Sequence, residues 1–276
     1  MEYVEAAGAR IPALGFGTWQ LEGDACRRLV ERALEVGYRH VDTAEAYGNE
    51  AEVGAAIQGS GLRRDEVFLT TKIWPDNFAP AKLKHAAADR LHRLGLDRVD
   101  LLLLHWPSPD VPLQDTIEAL NDVKDMGLTR LIGVSNFTAP MVEAAQTVSR
   151  AQLATNQVEY HPFLDQSRLL QWMRAKYLAL TAYCPLARGK VVDDPVIKGV
   201  ADRHGKTPAQ VTLRWLIQQP GVIAIPRTSN PARVAENFDV FDFALDDADM
   251  TAISGLGTRA GRMVEVEGHS PDWEEA

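Results

Sequence analysis

Apolar and β-branched runs alternate with amphipathic stretches along the chain. The strand-like runs are ALGFGTW (13–19), HVDTA (40–44), VFLTTKIW (67–74), VDLLLLHW (99–106), RLIGVSN (130–136), TNQVEY (155–160), LALTAYC (178–184) and VIAIPR (222–227). Several are continuously apolar, as strands are when a core lies on one side and helices cover the other. Helical patterns lie between them. Asp24 is placed to cap CRRLVERALEV, with Gly37 as its stop, and Pro80 opens a helix that ends at Gly95. A third runs from Glu118 to Met126 before Gly127; Pro140, Asp165 and Thr207-Pro208 open three more. Asn230–Asn237 reads as a short helix, and Asp246 caps a last one ending near Gly255.

The β-then-α unit recurs at roughly 30-residue intervals, the size of a strand–helix crossover. Strict alternation implies a parallel sheet. The expected fold is therefore α/β: a (β/α)8 TIM barrel formed by residues 1–276 as one domain. A short hairpin around Ala7-Gly8 would close the barrel bottom, and the tail from Gly257 would lie over the active-site rim. The longest irregular stretches are 106–114 and 257–276. An open doubly wound sheet would carry Gly-x-Gly-x-x-Gly after the first strand. Here Gly15-Phe16-Gly17 is followed by Thr18-Trp19-Gln20, and Gly59-Ser60-Gly61 follows a helix instead of a strand. No Walker A sequence is present either.

Barrel active sites gather at the C-terminal ends of strands. Asp42, Lys72 and His105 stand at such ends, and Tyr47 follows a few residues after Asp42. Together they form a candidate proton-donating site. A phenol has a pKa near ~10. A Lys ammonium about 4 Å away would favour the phenolate by up to ~4 kcal/mol at an effective dielectric near 20, before desolvation is subtracted. Taken singly, each residue has a plainer reading: a surface tyrosine, a snorkelling lysine, a turn aspartate, a rim histidine. Their joint delivery to one rim makes catalysis the better one.

The chain has 276 residues, 46% of them apolar, and a net charge of −9. The acids are dispersed, with short clusters such as Asp246-Asp247 and Glu274-Glu275. This argues against nucleic acid or an anionic membrane as partner and requires a local basic pocket for any anionic ligand. Cys26 and Cys184 lack zinc-type spacing and read as free thiols in a reducing compartment. The N-terminus has no secretory pattern, and no apolar run approaches ~18 residues. A cytoplasmic location follows as the expectation. His85, His92, His161 and His204 show no ligand spacing and are expected at the surface or behind the site; no metal site is expected.

Gly17-Thr18-Trp19, Asp42-Thr43-Ala44 with Tyr47-Gly48-Asn49-Glu50, Thr71-Lys72 and Leu104-His105-Trp106-Pro107 occur in order. So do Gly133 to Phe137, Asn156-Gln157, Tyr183 to Leu186, and Ile225-Pro226-Arg227 with Arg233 and Glu236-Asn237. This ordered set, spanning about residues 11 to 255, resembles the aldo-keto reductases. The tail and the run His105 to Pro109 look most like the branch of bacterial 2,5-diketo-D-gluconate and methylglyoxal reductases. The resemblance implies NADPH-dependent reduction of aldehydes and ketones without metal, by a monomer acting on a small-molecule carbonyl substrate. It makes Tyr47 the general acid, Lys72 the group that lowers its pKa, Asp42 the partner of Lys72, and His105 the residue that orients the carbonyl. It places NADP on Gly17, Thr18, Trp19, Asp42, Ser135, Asn136, Gln157, Tyr183 and Leu186, with Arg227, Thr228 and Ser229 at the 2′-phosphate and Arg233, Glu236 and Asn237 at the adenine. Trp19, Tyr47, Trp74, His105 and Trp106 would wall the substrate pocket. Two positions depart from many relatives: Arg227 stands where Lys is common, and Cys184 where Ser is. A cofactor-binding interaction protein with little catalysis is the alternative on the same fold. An intact tetrad speaks against it, because a buried Lys–Asp pair has no use in a pure binder. Metal-assisted hydrolysis lacks its ligand cluster.

Overall fold

The computed structural model describes residues 1–273; Glu274 and Glu275 lie outside the described residues. Ala7 and Gly8 both adopt positive φ, 47° and 73°, the backbone of a tight hairpin turn. They join Tyr3–Ala6 (β1) antiparallel to Ala9–Pro12 (β2). Eight parallel strands follow: Phe16–Gly17 (β3), His40–Asp42 (β4), Phe68–Ile73 (β5), Val99–Leu104 (β6), Thr129–Ser135 (β7), Thr155–Glu159 (β8), Ala179–Tyr183 (β9) and Val222–Ala224 (β10). Each pairs with its neighbours in chain order. The ends meet as well. Gly15 N–H donates to Ala224 O at 2.8 Å, Ala224 N–H to Ala13 O at 2.8 Å, and Gly17 N–H to Pro226 O at 3.0 Å. The (β/α)8 expectation holds, with every strand inside its anticipated run except β7, which starts one residue earlier at Thr129.

Period-two alternation divides the strands into two sets of side chains. Leu101 and Leu103 join Phe68, Leu131, Ala179 and Ile223 in an inner cluster, which Ala6 and Ile11 of the hairpin cover from below. Leu102 and Leu104 join the larger cluster beneath the helices. Lys72 lies beside Leu103 in the register and shares its parity with Phe68. The inward positions thus change from apolar at the barrel bottom to polar at the top.

The helices are Gly23–Val36 (α1), Glu50–Gly59 (α2), Pro80–Leu94 (α3), Leu113–Asp125 (α4), Ala139–Val148 (α5), Ser167–Ala175 (α6), Pro195–His204 (α7), Pro208–Ile217 (α8), Pro231–Phe238 (α9) and Asp247–Ser254 (α10). Gly95 closes α3 at φ 63°, and Thr207 forms a capping box with Gln210 on α8. Asp246 caps α10 as expected, and Asn230, read as the start of the short helix, is the cap of α9.

Two cap expectations shift. Helix α1 starts two residues earlier, with Glu22 at its cap position, so Asp24 lies in its first turn, where a carboxylate favours the positive helix end. Asp165 precedes the cap position of α6 yet still accepts the Ser167 N–H at 2.9 Å. Helix α4 begins at Leu113 rather than Glu118, after Pro112 at its cap position. The sequence reading missed α7 and recognised α2 only as a helix before Gly59, without a start. Helix α2 is rich in small residues and has little apolar contrast; a Cβ on its Gly54 would sit 1.9 Å from Leu94 O, so only glycine lets α2 approach α3 this closely. Helix α7 has a plain start signal in Asp194-Pro195, whose carboxylate accepts from Val196 and Ile197 N–H.

Residues 258–273 run over the top of the barrel. Met263 and Val264 donate their N–H groups to the buried Glu159 carboxylate at 2.8 and 3.0 Å, and the His269 ring meets Trp74 edge-on at 5.3 Å. Cys26 is buried and Cys184 half-buried, both free. Of the two placements expected for His161, it takes the one behind the site: it is fully buried and bonded to Glu159 at 2.9 Å. Among the described residues, no helix is long and apolar enough to cross a membrane.

Candidate active site

Lys72 reaches the site from the inner face of β5, and Asp42 from the end of β4. The ammonium donates to Asp42 Oδ1 at 2.5 Å and to Thr43 O at 2.9 Å, and it lies 3.4 Å from the Tyr47 hydroxyl. Both charged side chains are closed to solvent. Asp42 Oδ2 accepts from Gln157 Nε2 at 2.7 Å, a bond spanning the barrel between residues 115 apart in sequence. Tyr47 ends the single 3₁₀ turn Glu45–Tyr47, and Gly48 leaves that turn at φ 67°. Asn49 then locks the loop: its amide donates to Thr18 O and Leu21 O at 2.8 and 2.9 Å, and its carbonyl accepts the Thr43 hydroxyl at 2.7 Å. His105 follows β6 and packs edge-on against Tyr47 at 5.7 Å and Trp74 at 5.3 Å. Its Nδ1 is buried without a hydrogen-bond partner. The four strand-end residues share one rim.

Next to them is a second polar group. The Ser135 hydroxyl donates to Gln157 O at 2.8 Å, and Asn136, at φ 64°, donates to His105 O at 3.0 Å. The Tyr183 hydroxyl donates to Asn136 Oδ1 at 2.7 Å. Thr18 is buried, with its hydroxyl on Asp42 O, and a Cβ on Gly17 would meet Ile225 O at 2.9 Å. Beyond β10 the exposed Arg227 donates to Trp19 O and Gln20 O at 3.0 and 3.1 Å, tying the two ends of the closed sheet. Ser229 and Arg233 are exposed beside it, and Thr228 is buried.

A family model described as the Aldo/keto reductase family matches residues 13–257. The chain belongs to this family. It is similar to an aldo-keto reductase of Mycolicibacterium smegmatis, 44% identical over 91% of each chain. It is also similar to methylglyoxal reductase DkgB of Salmonella typhi, 42% identical over 96% of this chain and 99% of that one. A solved structure described as a 2,5-diketo-D-gluconic acid reductase B superposes with a TM-score of 0.97 at 50% identity, covering 99% of this chain and 97% of that one.

The electrostatics of this aldo-keto reductase differ from the expectation in one respect. Burial, and then the Asp42 charge, push the Tyr47 phenol well above its ordinary value of 10. Lys72 does not reverse this, because Asp42 already neutralises its ammonium and burial lowers the Lys72 pKa as well. Burial and then the Lys72 charge hold His105 well below 6.5, so the imidazole is neutral.

The remaining candidate residues are less uniformly placed. Trp19 is 47% exposed, Trp74 half-buried and Trp106 buried. Leu186 is half-buried after β9. Glu236 is engaged by the Thr207 hydroxyl at 2.9 Å, and Asn237 is buried.

Several supporting residues escaped the sequence reading. Glu50 accepts the Thr71 hydroxyl at 2.6 Å and pairs with the buried Arg90 at 3.2 Å; burial nevertheless pushes its carboxyl up to about 7. Glu159 had a usable signal, since it lies two residues beyond Gln157 on the same inward face. His269 had none, because its contact depends on the path of the tail.

Proposed function

We propose that this aldo-keto reductase uses NADPH to reduce aldehydes and ketones to alcohols. The expected substrates are small carbonyls, α-dicarbonyls such as methylglyoxal, and keto sugars such as 2,5-diketo-D-gluconate. The observation that carries the reading is the convergence of the Tyr47 hydroxyl, the Lys72–Asp42 pair and the neutral His105 on one point of the rim. The names of the similar proteins support the substrate range.

Ser135, Asn136 and Gln157 would hold the carboxamide of the nicotinamide, and Tyr183 would lie against its ring. Gly17, Thr18 and Trp19 would line the approach, and Leu186 would face the pyrophosphate. When held there, NADPH would supply the hydride that the carbonyl carbon accepts. As negative charge grows on the oxygen, His105 donates a hydrogen bond to it and Tyr47 delivers the proton. The tyrosinate left behind is then stabilised by Lys72, 3.4 Å away. Arg227 uses two of its five N–H groups on backbone carbonyls, leaving others for a phosphate. With Thr228 and Ser229 it would form the candidate 2′-phosphate site, while Arg233, Glu236 and Asn237 would stand near the adenine.

The test is NADPH consumption by purified protein with methylglyoxal, diketogluconate and aromatic aldehydes. Arg227→Glu should weaken NADPH binding by at least about tenfold, ~1.4 kcal/mol, and leave NADH binding nearly unchanged. No consumption with any carbonyl would remove the reading; equal losses for both cofactors would remove the phosphate site.

The pH profile follows from the directions of the shifts. A raised phenol pKa keeps the donor form of Tyr47 populated as pH rises, and a lowered imidazole pKa keeps His105 neutral as pH falls. The kcat for reduction should therefore stay flat through neutral pH, where neither group titrates. A falling limb near neutrality in kcat, measured at saturating cofactor and substrate, would contradict both assignments.

A further inference from the structure

Glu45 opens the turn that carries Tyr47, yet its carboxylate serves a different loop. Oε2 accepts the Trp74 N–H at 2.7 Å, and Oε1 accepts from Asn77 Nδ2 at 2.7 Å. The two oxygens thereby grip both ends of Trp74–Asn77, whose other ties are its own single turn at Pro75–Asn77, without a side-chain cap, and a 3.5 Å contact from the Lys82 ammonium to Asp76 O. Arg90, buried behind, lies 3.7 Å from Glu45 and 3.2 Å from Glu50, and so braces the carboxylate from the side of α3. Trp74 and Tyr47 flank His105, each edge-on to its ring.

The Tyr47 loop does not depend on this grip. Asn49 ties its exit to Thr18, Leu21 and Thr43, and Glu50 ties it to Thr71 on β5. Losing the Glu45 carboxylate would leave the proton donor anchored and release the aromatic wall opposite.

We propose that Glu45 is a positioning residue that sets the gap between the Tyr47 hydroxyl and the Trp74 wall, and so decides how bulky a carbonyl substituent the site admits. This rests on the carbonyl-reductase reading given above. Glu45 touches no reacting atom; it acts through the Trp74 main chain and the Asn77 amide.

The experiment compares kcat/KM for methylglyoxal and for a bulky aromatic aldehyde in the wild type, Glu45→Ala, Glu45→Gln and Asn77→Ala. Glu45→Ala should change the bulky-to-small ratio by at least about tenfold, with kcat on methylglyoxal within about threefold of wild type. Asn77→Ala removes one of the two bonds and should move the ratio the same way by less. Glu45→Gln keeps an acceptor for the Trp74 N–H and a donor for a flipped Asn77 amide, so it should restore the wild-type ratio. Hydrogen exchange at the Trp74 amide should accelerate in Glu45→Ala and not in Glu45→Gln. An unchanged ratio in folded Glu45→Ala, or equal loss of kcat on both aldehydes, overturns the proposal. If Glu45→Ala does not fold, an unchanged ratio in Asn77→Ala overturns it instead. A wild-type protein that reduces neither aldehyde refutes the carbonyl-reductase reading; an active wild type with an unresponsive ratio refutes only the role of Glu45.

Discussion

Tyr47→Phe is expected to lower kcat for carbonyl reduction by about 10²–10⁴-fold, the usual contribution of a positioned proton donor, while NADPH affinity stays unchanged. The substitution removes one oxygen and keeps the ring that packs against His105 at 5.7 Å. Lys72 loses a 3.4 Å neighbour but keeps Asp42 and Thr43 O, so no buried ammonium is stranded. The groups expected to hold the cofactor, Ser135, Asn136, Gln157 and Tyr183, make none of their hydrogen bonds to the Tyr47 oxygen. Steady-state turnover beside a fluorescence titration with NADPH separates chemistry from binding. A variant that keeps its rate would show that water or His105 supplies the proton.

Lys72→Met should destabilise the fold by roughly 3–5 kcal/mol, the cost of stranding one partner of a buried ion pair. The Asp42 side chain is 2% exposed and would retain only Gln157 on its other oxygen. Adding Asp42→Asn removes the uncompensated charge, so the double variant should recover much of that loss in urea unfolding. Turnover should not recover with it, because the ammonium beside Tyr47 is gone in both variants. A single variant as stable as the wild type would mean that the pair is not ionised in the folded protein. A double variant that regains turnover would mean that Lys72 serves only as a structural partner for Asp42.

The eight strands were legible because most are short apolar or β-branched runs lying between helix start and stop residues, and Gly37, Gly95 and Gly127 all end helices as their position suggested. Helix α2 was legible only as a helix before Gly59, because its small residues carry no apolar stripe to mark its start; Gly54 is where it meets α3. The tetrad could be named because barrel topology brings strand ends together whatever their separation in sequence. The sign of the Tyr47 shift could not be read this way. It depends on the burial of the hydroxyl and on Asp42 sitting 2.5 Å from the ammonium, and neither distance nor desolvation is written in the order of residues.

The sequence by itself determined the alternation of strand and helix, the residue types at the strand ends, and the family to which the chain belongs. These are local patterns and ordered motifs, and both survive any change in how the loops lie. Only the tertiary structure decided which side chains meet. Examples are Gln157 on Asp42 across the barrel, Glu45 on Trp74 between neighbouring loops, and Glu159 on the tail at Met263 and Val264. Each joins segments from different elements, so its existence depends on closure of the sheet and on the path of the chain over its upper rim.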